Sequence, residues 1–120
     1  MLVLLRLADI DGDVTINPSN GWFSDLSRGS YDFTTIIYEI GHAIGLDHPG
    51  NYNGGNPTYA ANAAYVQDSN QYTVMSYFDA EETGARHYGT YAATPLLHDI
   101  AAAQALYGAN YATRAGNTVY

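Results

Sequence analysis

The sequence predicts an α+β fold with little sheet, on three observations. Val14 and Ile16 alternate with polar neighbours in GDVTINPS, which is the period of a strand. Phe33, Ile36, Ile37, Ile40 and Ile44 recur at the spacing of a single helix face. A second helical pattern runs through TPLLHDIAAAQALYG, with a proline near its start and a glycine at its end.

The elements follow in chain order. Met1 to Leu7 is apolar, but Arg6 and Asp9 interrupt it early, so it is too short for a signal-peptide core. No segment approaches transmembrane length. The Val14–Ile16 strand ends in the turn Asn17-Pro18, and the loop behind it carries the only tryptophan, Trp22. The first helix is expected from about Asp32 to Ile44, with Ser30 or Asp32 as its cap. At about 100° per residue, Tyr38 and His42 point nearly opposite the isoleucine stripe. One face is then core and the other looks into solvent or a cleft, with Glu39 one step round from that pair. Gly45 offers a positive-φ exit, and Pro49 bars continuation.

A long loop rich in Gly, Asn and Pro follows. YTVMSYF reads as a short strand or tight turn, and DAEETGARHYGTYAA as another loop. In the second helix Thr94 is the expected cap and Pro95 the first helical residue. Leu96, Ile100, Ala103 and Tyr107 form the stripe, and Gly108 closes it. The two helices are expected to pack by their apolar faces. The lone strand leaves an open edge, a route to self-association.

Composition narrows the function. The chain has 120 residues, enough for one modest domain, and no clear linker or repeat divides it. Twelve acidic residues face four arginines and no lysine, for a net charge of −8. Such a charge argues against nucleic acid and anionic membranes as partners. It suits a carboxylate-based cation site, and serves solubility equally well. With no cysteine, any metal must be held by His, Asp, Glu, Tyr or water. Twelve tyrosines favour an open, loop-rich fold, because a tyrosine tolerates a buried ring with a wet hydroxyl.

The chemistry gathers in YEIGHAIGLDHPG, Tyr38 to Gly50. His42 and His48 form H-x-x-G-x-x-H. Alone, this pair reads more readily as a solvated helix-end histidine and a loop histidine than as metal ligands. Gly45 changes the weighing, because it lets the chain leave the helix and bring His48 back beside His42. Glu39, three residues before His42, is placed to act as the base for a metal-bound water. Downstream, VMSY sets Met75 and Tyr77 in a short turn, where each taken alone is an ordinary core or surface residue. His87 reads as a loop histidine and His98 as a helix-packing one.

EIGHAIGLDHPGNYN, VMSYF and HYGTYAATPLLHDIAAAQALYGAN together resemble the serralysins, secreted bacterial zinc endopeptidases of the metzincin clan. The resemblance runs from about Gly12 to Tyr120. It implies a metzincin catalytic core, zinc as cofactor, a polypeptide substrate or proteinaceous inhibitor as partner, and an extracellular location. It makes His42 and His48 the second and third zinc ligands and Glu39 the general base. Met75 becomes the Met-turn residue, and Tyr77 a tyrosine able to approach zinc and steady the transition state.

Tyr38 stands where the family has its first zinc-binding histidine. A phenol must lose a proton to bind zinc, and its ring is longer than imidazole. Three outcomes stay open: Tyr38 ligates as a phenolate; it points away, leaving two histidines and Tyr77; or the site is empty. The family's long N-terminal region is reduced here to about one strand. Residues 1–120 therefore read as one partial metzincin domain, with about 108–120 starting the linker to a calcium-binding β-roll. Arg114, Gly116 and Thr118 offer carbonyls to calcium, but no complete calcium site is expected. The expected function is zinc-dependent endopeptidase of serralysin type with impaired activity. The alternative is an inactive metzincin-like binding or structural module.

Overall fold

A computed structural model of the chain describes residues 12–17, 19, 21, 23–113 and 115–117. The expectations placed on Met1–Leu7, Pro18, Trp22, Arg114 and Thr118 lie outside the described residues. Three helices appear in order: α1 (Tyr31–Ala43), α2 (Tyr59–Asn62) and α3 (Leu97–Tyr107). A 3₁₀ turn at Ala80–Thr83 lies between α2 and α3. Neither α2 nor the 3₁₀ turn is foreshadowed by hydrophobic periodicity, and both are too short to carry it.

The helix α1 starts at Ser30, whose Oγ accepts from Phe33 N at 3.1 Å; Asp32 instead accepts from Asp25 N at 3.1 Å. Its end is fixed by two backbone bonds. Leu46 N donates to Gly41 O and Gly45 N to His42 O, both at 2.9 Å, with Gly45 at φ 95°. This 6→1 and 5→2 pair reverses the chain through a residue that only glycine adopts cheaply.

Several expectations are corrected. Val14–Ile16 is not a strand, and the described residues contain no strand at all, so the α+β class is not seen among them. No described segment offers Val14 and Ile16 a ladder to pair with, and a strand without a partner leaves its amides to water. The route to self-association through that strand's edge goes with it. The isoleucine stripe is not the buried face of α1. Ile40 is 49% exposed and Ile44 38%, while Thr35, Glu39 and Gly41 are buried. The turn around Met75 packs on α1 at Ile37, Tyr38 and Gly41, along one edge of the stripe, and leaves Ile40 and Ile44 uncovered.

The second helix begins at Leu97, not at Thr94–Pro95. Its first free amide, Leu96 N, is taken by the Asp99 carboxylate at 2.7 Å, which sets the start. Asp99 is its only buried residue, while Ile100 and Tyr107 are exposed. The helices therefore do not pack by apolar stripes. They meet where Tyr107 Oη donates to Ile44 O at 2.6 Å, end to end.

Among the described residues Leu46, Val74 and Met75 form an apolar cluster with Ile37, Tyr38, Ala92 and Leu96 packed around it, and Tyr52, Phe78 and Ala80 are buried as well. A Cβ on Gly41 would lie 2.5 Å from Met75 Sδ, so the bare backbone there is what seats Met75 against α1.

Residues 73–78 make a turn without ladder bonds, and side chains supply what the backbone lacks. Thr73 Oγ1 donates to Asp99 at 2.5 Å and Val74 N at 3.0 Å. Ser76 Oγ donates to Asp68 at 2.7 Å. Asn70 Nδ2 donates to Ser76 O at 2.8 Å and Thr73 O at 3.3 Å.

Replacing Asp99 with Ala strands Thr73 Oγ1, Val74 N and Leu96 N in a place where water has little access. Each stranded donor costs about 1–3 kcal/mol, so Asp99→Ala is expected to lose about 3 kcal/mol or more. Urea unfolding at neutral pH measures it, and a loss below about 1 kcal/mol would contradict the role assigned to Asp99.

Candidate functional site

Three polar atoms converge at the C-terminal half of α1. His42 and Tyr38 sit one turn apart on the helix, with ring centroids 4.6 Å apart and edge-on. His48 comes back from the reversed chain. Its Nε2 lies 3.2 Å from His42 Nε2 and 2.5 Å from Tyr38 Oη.

The tautomer of His42 follows from its partner. Its Nδ1 lies 2.8 Å from the Leu46 carbonyl, which only accepts, so Nδ1 carries the hydrogen. In the neutral ring, Nε2 then presents a lone pair to the site. The same backbone reversal that brings His48 back also supplies that carbonyl.

Electrostatics favour the neutral forms of Tyr38 and His48. Burial, and then the neighbouring Tyr77, push the Tyr38 phenol far above its ordinary range. Burial, and then His42, pull His48 below its ordinary 6.5, while the Tyr52 backbone works the other way. Burial raises Glu39, against the pull of His42. Glu39 is 4% exposed, and no buried side-chain oxygen among the described residues lacks a partner. A buried carboxyl with a raised pKa is suited to accept a proton near neutral pH.

Tyr77 stands at the rim, with its ring 4.7 Å from His48 and 6.4 Å from Tyr38. Its hydroxyl accepts from Gly54 N at 3.3 Å. Met75 lies under the helix against Gly41 and contributes no polar atom to the cluster. His87 and His98 are elsewhere. His87 pairs with Glu81 at 3.7 Å, and His98 takes Tyr65 Oη at 2.9 Å and stacks on Tyr72. A cleft of about 910 Å³ runs beside the cluster, walled by Tyr31, Thr35, Tyr38, Tyr77, Tyr91 and Leu96.

The donor set fits zinc in part. Two nitrogens at about 2.0–2.1 Å from one tetrahedral zinc stand about 3.3 Å apart, and His42 and His48 match that at 3.2 Å. Tyr38 does not complete the set as a third ligand. At 2.5 Å from His48 Nε2 its oxygen is closer than two ligands of one zinc stand, because the phenol reaches past the place of an imidazole nitrogen. Among the described residues no group of three or more His, Cys, Asp or Glu side chains could hold a metal.

The sequence pattern missed Tyr52 and Asp68, which support His48 from behind, and the pinning role of Asp99. Asp99 had a signal, since an acidic residue three after a helix cap is a capping pattern. Asp68, in a polar loop, had none.

No family model matches the chain. Comparison with known proteins finds it 54% identical over 109 residues to a serralysin of Proteus mirabilis, covering 82% of this chain and 22% of that protein. It is 53% identical over 98 residues to the metalloprotease AprA of Pseudomonas entomophila, covering 77% and 20%. It is 52% identical over 113 residues to serralysin B of Dickeya chrysanthemi, covering 92% and 24%. The chain thus spans between a fifth and a quarter of the length of these curated relatives.

The depressed His48 pKa has a consequence for stability. Below its unfolded value of 6.5 the unfolded chain takes up a proton that the native ring resists. The contribution of His48 is therefore present above about pH 6.5 and lost as pH falls through the native pKa. Glu39 works with the opposite sign, its contribution being lost as pH rises, but it is common to both chains in a comparison with His48→Asn. The stability of the native chain relative to His48→Asn is expected to shrink between about pH 7.5 and 5.5. Paired thermal melts measure it, and a pH-independent difference would contradict the half-buried, neutral His48.

Proposed function

Over the segment that it spans, the chain belongs to the serralysin type of metalloproteases, and from that premise we propose that it forms the metal-holding part of a zinc-dependent endopeptidase whose hydrolysis of peptide bonds is impaired. The observation that supports this best is the pair of imidazoles, with Nε2 atoms 3.2 Å apart and the His42 lone pair turned inward by the Leu46 carbonyl. His42 and His48 are the residues that would hold zinc. When bound there, zinc supplies a polarised water and a Lewis acid for the peptide carbonyl.

The chain's own residues supply the rest. Glu39 takes the proton of the attacking water and returns it to the leaving amine nitrogen, a task its raised pKa suits. Tyr77 steadies the developing oxyanion with its hydroxyl once that group lets go of Gly54 N. The tyrosine-walled cleft beside them receives the polypeptide, or a proteinaceous inhibitor in its place. By this reading α1 and the Met75 turn are the helix and Met-turn of an α+β metzincin core, calcium belongs to the sequence beyond residue 108, and the protein acts outside the cell. No helix among the described residues is long and apolar enough to cross a membrane.

Impairment comes from Tyr38. A zinc site that keeps two protein ligands instead of three loses the set that catalytic zinc sites share. A second reading, a catalytically inactive binding or structural module, has its own support: Tyr38 Oη at 2.5 Å from His48 already occupies that nitrogen without a metal.

Zinc content and affinity of the chain and of Tyr38→His are the deciding measurements. Tyr38→His is expected to bind one zinc, tighter than the native chain by more than the ~10–100-fold that an outer-shell partner is worth. It should also gain chelator-sensitive casein cleavage that Glu39→Gln removes. Equal zinc affinity of the two chains, or robust chelator-sensitive cleavage by the native chain, would overturn the assignment of Tyr38 as a lost ligand.

A further inference from the structure

Asp68 is wholly buried, at 0% exposure, in a loop that carries no catalytic residue. Its two oxygens accept three hydrogen bonds: from Tyr52 Oη at 2.8 Å, from Ser76 Oγ at 2.7 Å and from Ala64 N at 3.0 Å. The first two donors lead directly to the site. Tyr52 follows His48 by four residues, and its ring stacks on the imidazole at 5.6 Å and 18°. Phe78 meets the same tyrosine edge-on at 5.0 Å. Ser76 precedes Tyr77, whose ring stands 4.7 Å from His48 and 5.0 Å from Tyr52.

His48 itself lies beyond the end of α1 and has no helix to hold it. Two side-chain torsions decide where its Nε2 points, and a small swing of either carries that atom away from His42. We infer that Asp68 is a positioning residue for His48, acting through Tyr52. By fixing Tyr52 Oη it fixes the ring plane on which the imidazole lies, and so aims His48 Nε2 at His42 Nε2. The same carboxylate, through Ser76, holds the turn that delivers Tyr77 to the rim. A charge with 0% exposure costs little here only because all three of its bonds are made. An alanine in its place would leave Tyr52 and Ser76 without an acceptor.

The assignment deepens the proposed function, in which His48 is a metal ligand, and the consequence for metal affinity rests on that reading. The placement of the imidazole does not. Tyr52→Phe keeps the stacked ring and removes only the bond to Asp68. Long-range proton–nitrogen NMR spectra of the histidine rings then report whether His48 keeps one tautomer and one environment. His98, held separately by Tyr65 and Tyr72, is the internal reference.

In Tyr52→Phe the His48 ring nitrogens are expected to move toward the tautomer average while those of His98 stay. Asp68→Ala removes the same bond from its other end and is read the same way. Unchanged His48 signals in a folded variant would overturn the inference, as would equal changes at His98, which mark general loosening. Cobalt(II) titration gives the second arm, with about a tenfold loss of affinity expected for Tyr52→Phe. Equal cobalt affinity in both chains would count against the inference. A shifted His48 in chains that bind no cobalt would uphold the positioning role and refute the metal role.

Discussion

Two buried carboxylates hold this molecule's working parts in place. Asp99 grips residues 73 and 74 from one side, and Asp68 grips Ser76 from the other. Between them lies a turn that no ladder of backbone bonds supports. Burying a carboxylate is costly, and either group would be a liability if one partner were missing. Each instead receives three hydrogen bonds, one from within four residues and the others from 8 to 26 positions away. The turn they define seats Met75 against Gly41, closes the apolar cluster and sends Tyr77 outward. Polar satisfaction thus works beside that cluster in holding the turn.

The helix α1 brings the other half of the site. Its final reversal at Gly45 does two things with one backbone geometry. It returns His48 to the helix, and it places the Leu46 carbonyl where it takes the His42 Nδ1 proton. Two imidazole nitrogens are thereby aimed at one point. Tyr38 then changes what that point can be. Its ring is longer than an imidazole, so its oxygen arrives beside His48 Nε2 rather than at a separate ligand position. Burial favours the neutral phenol and the neutral imidazole together, and two neutral partners sharing a hydrogen bond form a self-sufficient pair. A metal entering there has to displace that bond and remove the phenol's proton or push the ring aside.

Much of the site was legible in residue order because its chemistry is local. Tyr38, Glu39, His42, Gly45 and His48 lie within eleven residues, and helix periodicity with one glycine exit suffices to gather them. The helix itself was legible to within a residue at each end. Its buried face was not. Periodicity identifies an apolar stripe, but which part of it is covered depends on what packs there, and here the Met75 turn meets Ile37, Tyr38 and Gly41 while Ile40 stays half in water. The strand was misread for a related reason: alternation of Val14 and Ile16 describes half of a ladder, and a ladder needs two sides.

The sequence by itself carried the resemblance to the serralysins, the helix that bears the histidines, and the expectation that Tyr38 departs from the ligand pattern. These are properties of near neighbours in the chain, fixed by residue identity and helical spacing. Only the tertiary structure decided that Asp68 and Asp99 pin the Met75 turn, that Tyr52 backs His48, and that Tyr38 Oη meets His48 instead of standing apart from it. Those contacts join residues up to 26 positions distant. Their partners are selected by burial, because a carboxylate removed from water must find its donors wherever the fold brings them.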